Sequence, residues 1–113
     1  MCLRGNFDAQ GFAVLLQGCW RRGSQQAGEL DLNCVCTVVS NDVAGAIAYV
    51  EMACREAHTA PGFIHPAALI ACAYEKVTGH AALLAKVFHV ATDVGLGEDV
   101  LEFIQGFPGH DFG

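Results

Sequence analysis

The chain has 113 residues, 53% of them hydrophobic and 16% charged, with 12 acidic against 6 basic side chains and a formal net charge of −6. That length fits one domain over residues 1–113, closed by an irregular tail at 106–113, and leaves no room for two. An acidic balance with no basic run longer than Arg21-Arg22 opposes a nucleic-acid partner, apolar runs about half the roughly 20 residues needed to cross a bilayer oppose a membrane span, and the abundance of apolar residues excludes disorder.

Asn6 is placed to cap a first helix, with Asp8 in the first turn, Phe12, Leu15, Leu16 and Cys19 on the apolar face, and Arg21 and Arg22 in the last turn before Gly23. Gly11 and Gly18 each weaken that helix by about 1 kcal/mol relative to alanine. Seven residues apart, they share a face that another backbone can approach closely. The stretch Phe12 to Cys19 also looks like a lipoprotein leader ending in Leu-x-Gly-Cys. Against that stand Asp8, where a leader is neutral or basic, and the shortness of the apolar run. With no convincing export signal, the chain is expected in the cytoplasm and its six cysteines are expected as reduced thiols.

Glu29 to Val39 reads two ways. Leu30, Leu32, Cys34, Cys36 and Val38 alternate as a strand does, while Leu30, Cys34 and Val38 fit one helical face. Helix is favoured. Ser40 or Asn41 then caps a third helix whose stripe is Val43, Ile47, Val50, Cys54 and Ala57, ended by Thr59-Ala60-Pro61-Gly62. Pro66 suits the first position of a fourth, which runs through Leu69, Ile70, Ala73 and Val77 to Gly79. A fifth carries Leu84, Val87, Ala91 and Val94, with Leu83 and Phe88 beside them, and stops at Gly95. Glu98 and Asp99 lie near the positive end of a short last helix through Leu101 and Ile104. The tail from Gly106 holds Phe107, Pro108 and Phe112 and is not helical.

These elements predict an all-α protein, a compact bundle of about five helices with a short irregular C-terminal tail. The alternative is an α+β protein, with a β-hairpin from residues 12–20 and 29–39 packed on the C-terminal helices.

The best chemical cluster is Glu51, Cys54, Arg55 and His58 on the third helix. At 3.6 residues per turn, Glu51, Cys54 and His58 fall within roughly 60° of one another, placing carboxylate, thiol and imidazole on one face. An imidazole lowers a nearby thiol pKa and a carboxylate orients the imidazole, which is the arrangement of an activated thiol. The plain alternative puts Cys54 in the core, Glu51 against Arg55, and His58 in solvent. Arg55 in an apolar cleft would instead bind an anionic ligand. Cys54-Arg55-Glu56-Ala57-His58-Thr59-Ala60 resembles the second half of the motif of alkylhydroperoxidase-like, carboxymuconolactone decarboxylase-fold proteins, which are small, all-helical and oligomeric. Redox-active members have a second cysteine three residues earlier, where this chain has Glu51, so their disulfide chemistry does not carry over. Cys34-Val35-Cys36 is similar to the Cys-Val-Cys of arsenical-sensing winged-helix repressors, but no basic recognition helix follows it.

No Cys-x-x-Cys, His-Glu-x-x-His or glycine-rich phosphate loop is present, so neither a metal nor a cofactor is expected. The low charge, the Gly11 and Gly18 face, and a tail carrying Phe107 and Phe112 indicate more apolar surface than one small domain hides. The expected role is therefore a non-enzymatic interaction or accessory module. It self-associates through apolar helix faces, as a homodimer, and the acidic surface suits a basic protein partner. A small-molecule or thiol-dependent site on Glu51, Cys54 and His58 is the alternative.

Overall fold

A computed structural model describes residues 9–19 and 32–106. Among these are six α-helices: α1 (Ala9–Gln17), α2 (Leu32–Asn41), α3 (Val43–Glu56), α4 (Ile64–Thr78), α5 (Ala82–Asp93) and α6 (Gly97–Gln105), with a 3-10 turn at Pro61–Phe63 before α4. The all-α reading holds. The β-hairpin alternative does not, because α1 and α2 occupy the described parts of both proposed strands. Asn6, Asp8, Arg21, Arg22, Gly23, Leu30 and the tail from Phe107 lie outside the described residues.

α4 is the axis of the molecule. Every residue from Ala67 to Ala73 is buried, and α2, α3, α5 and α6 all pack around it. Its small side chains make this possible: Ala67, Ala68, Ala71 and Ala73 let neighbouring helices approach, while Leu69 and Ile70 fill the space between them. Pro66 stands at the third position of α4, not the first. The cost is nil there as well, since the first four N–H groups of a helix have no partner within it. Gly79, with φ of 84°, ends the helix as expected.

α2 and α3 meet at a bend of 108° on one residue, Asp42. Its N–H donates to the carbonyls of Val38 and Val39, closing α2, and its own carbonyl accepts from Ala46, opening α3. The Asp42 carboxylate caps α3 by accepting from Gly45 N at 3.0 Å. The cap is thus one residue later than Asn41, because both Ser40 and Asn41 still belong to α2.

The buried stripes shift slightly from those expected. α3 buries Ala46, Tyr49, Val50, Ala53, Cys54 and Ala57, with Val43 and Ile47 at the margin. α2 buries Val35 and Val39, next to the expected Cys34 and Val38. α1 turns Phe12, Leu16 and Cys19 inward, where Phe12 packs on Tyr49 with ring centroids 5.8 Å apart. Cys19 and Cys34 form a disulfide that ties the end of α1 to the start of α2, with Cα atoms 5.3 Å apart. Where six reduced thiols were expected, Cys36, Cys54 and Cys72 are the free ones among the described residues. No single helix among the described residues is long and apolar enough to cross a membrane.

Candidate functional site

The α5–α6 hairpin is set by two glycines. Gly95, φ 83°, takes the left-handed conformation that stops α5, and Leu96 N–H reaches back to the Ala91 carbonyl at 2.7 Å. Gly97 begins α6 against Thr92, so close that a Cβ there would lie 2.9 Å from the Thr92 hydroxyl. That hydroxyl is itself held on the Phe88 carbonyl at 2.9 Å. The two helices therefore diverge from a fixed corner and leave a groove between them.

The groove holds about 260 Å³ and is lined by Ala81, which caps α5, and Leu84, Ala85 and Phe88 within it, with Leu101 and Ile104 of α6. All six lining residues are apolar. Phe88 is 39% exposed and Leu101 40%, high values for side chains of this size. On the other side of α6 a shallower depression of about 370 Å³ is lined by His65, Asp99, Glu102 and Phe103, and the His65 ring sits 5.4 Å from that of Phe103. Asp99 and Glu102 of that depression are exposed, as is Glu98, one residue before Asp99 on α6. The chemistry offered here is an apolar slot on one side of α6 and, on the other, the His65 imidazole with the Asp99 and Glu102 carboxylates.

The residues singled out from the sequence are placed differently. Glu51 pairs with Lys86 of α5 at 3.6 Å, not with Arg55, and both side chains are about half exposed, so the pair adds little stability. Arg55 and His58 are exposed, and Arg55 lines neither of the two concavities beside α6. Cys54 is 4% exposed. Burial pushes its thiol pKa up, and the opposing pull of Lys86 is offset in part by Glu51. A thiol held in its protonated form is a poor nucleophile. Cys72 is raised further, to about 12, by burial and then by Glu75. It faces the core, while Lys76 and His80 on the same helix and its end face solvent. In α2, Cys34 is in the disulfide and Cys36 is half-buried. Among the described residues no group of three or more His, Cys, Asp or Glu is arranged to hold a metal ion.

Of the residues expected at an interface, Gly18 is exposed just past the end of α1, Gly11 is half-buried, and Phe107 and Phe112 are outside the described residues. Val14 and Leu15 lie between the two glycines and are 67% and 41% exposed. Leu15 had been expected on the inner face. The groove itself was not anticipated from the sequence. Its one available signal was Phe88, a large apolar residue beside the α5 stripe rather than on it.

Comparison of the chain with protein-family models, with curated proteins and with solved structures found no match.

Proposed function

We propose that the protein is a non-enzymatic interaction module that works as a homodimer, self-associating through the outer face of α1. The observation that carries this reading is the exposure of Val14 at 67% and Leu15 at 41% on a helix whose other face is sealed into the core by Phe12 and Leu16. Fully burying a side chain of this type is worth about 1.5–3 kcal/mol, so two copies sharing this face gain from four such side chains. Gly18 lets the helices come close. A Cβ built there meets only the Leu15 carbonyl of its own turn, at 3.4 Å, so no neighbouring element among the described residues occupies the space above it. With 16% charged residues, the chain has few polar groups to spread over such patches.

Size-exclusion chromatography with light scattering tests this. The wild-type chain, 12.0 kDa by sequence, is expected at twice that mass at micromolar concentration. Val14→Lys, at an exposed helical position that accepts lysine readily, is expected to give the single-chain mass with unchanged helical circular dichroism. A wild-type monomer, or a Val14→Lys protein that still dimerises, overturns the proposal.

A further inference from the structure

We infer that the Cys19–Cys34 disulfide is a redox latch: a dithiol reductant opens it at Cys34 and so releases α1, together with the Val14 and Leu15 face that α1 carries. Its effect on dimerisation rests on the α1 interface proposed above, whereas the release of α1 does not. The first ground is how little else holds this helix. It has nine residues, Gly11 among them, and a helix that short does not persist alone in water. Among the described elements it packs on α3 and lightly on α2, and it does not reach α4, α5 or α6. Phe12 and Leu16 are its buried anchors, and the bond at Cys19, two residues past its end, is the clamp.

The second ground is access. Cys19 is 1% exposed while Cys34 is half-buried, so a thiolate arriving from solvent meets the Cys34 sulfur. Attack there forms a mixed disulfide on Cys34 and breaks its bond to Cys19, whose sulfur leaves as a thiolate and takes up a proton. The second thiol of the reductant then attacks the first one's sulfur in the mixed disulfide, and Cys34 leaves and is protonated in turn. The cysteine pair gains two electrons and two protons, and the reductant departs as its own disulfide. A link across a 15-residue separation disfavours the open chain about a hundredfold, so α1 undocks correspondingly more often once it is cut. Both copies must present a docked α1 to pair. If about one third of reduced chains do so, the dimer Kd rises about tenfold.

Hydrogen exchange of the full chain, read by mass spectrometry on the oxidised protein and on the same protein in excess dithiothreitol, tests the latch. Amides of α1 should exchange at least about tenfold faster after reduction, with Ala67 to Ala73 of α4 remaining far better protected than α1. Cys34→Ser should show the reduced behaviour without dithiothreitol and change no further when it is added. With glutathione, a monothiol, in place of the dithiol, peptide mapping should find the mixed disulfide on Cys34 and not on Cys19. In sedimentation equilibrium, reduction should raise the dimer Kd about tenfold, and reoxidation should restore it. Val14→Lys, a monomer in both states, should show the same exchange contrast in α1. An oxidised wild type that is monomeric therefore overturns the α1 interface, while the exchange contrast still decides the latch. Unchanged exchange in α1, loss of protection to the same level in α1 and α4, glutathione on Cys19, or a wild-type dimer whose Kd ignores reduction would each overturn the inference.

Discussion

Ile70 and Val77 sit seven residues apart on one face of α4, yet the structure treats them in opposite ways. Ile70 is fully buried and Val77 is 40% exposed. Ile70→Ala removes three carbons, about 2.4 kcal/mol at roughly 0.8 kcal/mol each. A cavity term adds to that, at about 24 cal/mol per Å³ left unfilled. Three of the side chains flanking it on α4, Ala67, Ala71 and Ala73, have no rotamers with which to fill the void. The expected loss is therefore about 3–4.5 kcal/mol, a large share of the roughly 5–15 kcal/mol that stabilises a domain. Val77→Ala should cost less than about 1 kcal/mol, because much of its side chain is already in water. Urea unfolding followed by circular dichroism at fixed protein concentration gives both numbers. If Ile70→Ala costs under about 1.5 kcal/mol, or no more than Val77→Ala, then α4 is not the packed axis and the arrangement of helices around it is wrong.

Three further outcomes follow from the cysteines. Reduction of the Cys19–Cys34 bond, or the double change Cys19→Ser with Cys34→Ser, should lower stability by about 3 kcal/mol, given the 15-residue separation of the two cysteines. An unchanged urea midpoint after reduction would mean that the bond does not tie α1 to α2. In a Cys2→Ser background, native iodoacetamide labelling followed by peptide mapping should modify half-buried Cys36 first and leave Cys54 and Cys72 largely protected. Cys54 reacting fastest would restore the thiol-site reading. The Cys72 thiol, raised from 9.0 to about 12, contributes stability that is complete below pH 9.0 and is lost as pH rises through about 12, since only the unfolded chain ionises readily in that window. Cys72→Ala should flatten the alkaline limb of a stability-against-pH curve, and an identical limb would contradict the assignment.

Much of the helical order could be read from residue types with local consequences. Gly79 and Gly95 mark helix ends because both adopt positive φ, and the four-and-three spacing of Val50, Cys54 and Ala57 marks a face because a helix repeats every 3.6 residues. Asp42 was missed as a cap because Ser40 and Asn41 are equally good capping types, and only the 108° bend between α2 and α3 decides among them. Val77 shares a face of α4 with Ile70 yet is exposed, because periodicity reports a helix face but not how far the neighbouring helices extend along it. The disulfide was not legible either, since Cys19 and Cys34 are brought together by packing rather than by any motif. For the site, the sequence offered a one-helix cluster, Glu51 with Cys54 and His58. The structure divides it between core and solvent, with Glu51 drawn across to Lys86. The α5–α6 groove escaped notice for the complementary reason: it exists only where two helices diverge, and no single stretch of sequence encodes it.

Self-association requires that the apolar side chains exposed on α1, Val14 and Leu15, be contact surfaces for another copy of the chain. Sedimentation equilibrium of the wild-type chain from high nanomolar to high micromolar concentration tests this most directly. A weight-average mass that climbs from one chain to two and levels there is the predicted result. A mass that stays at one chain across the whole range would contradict self-association.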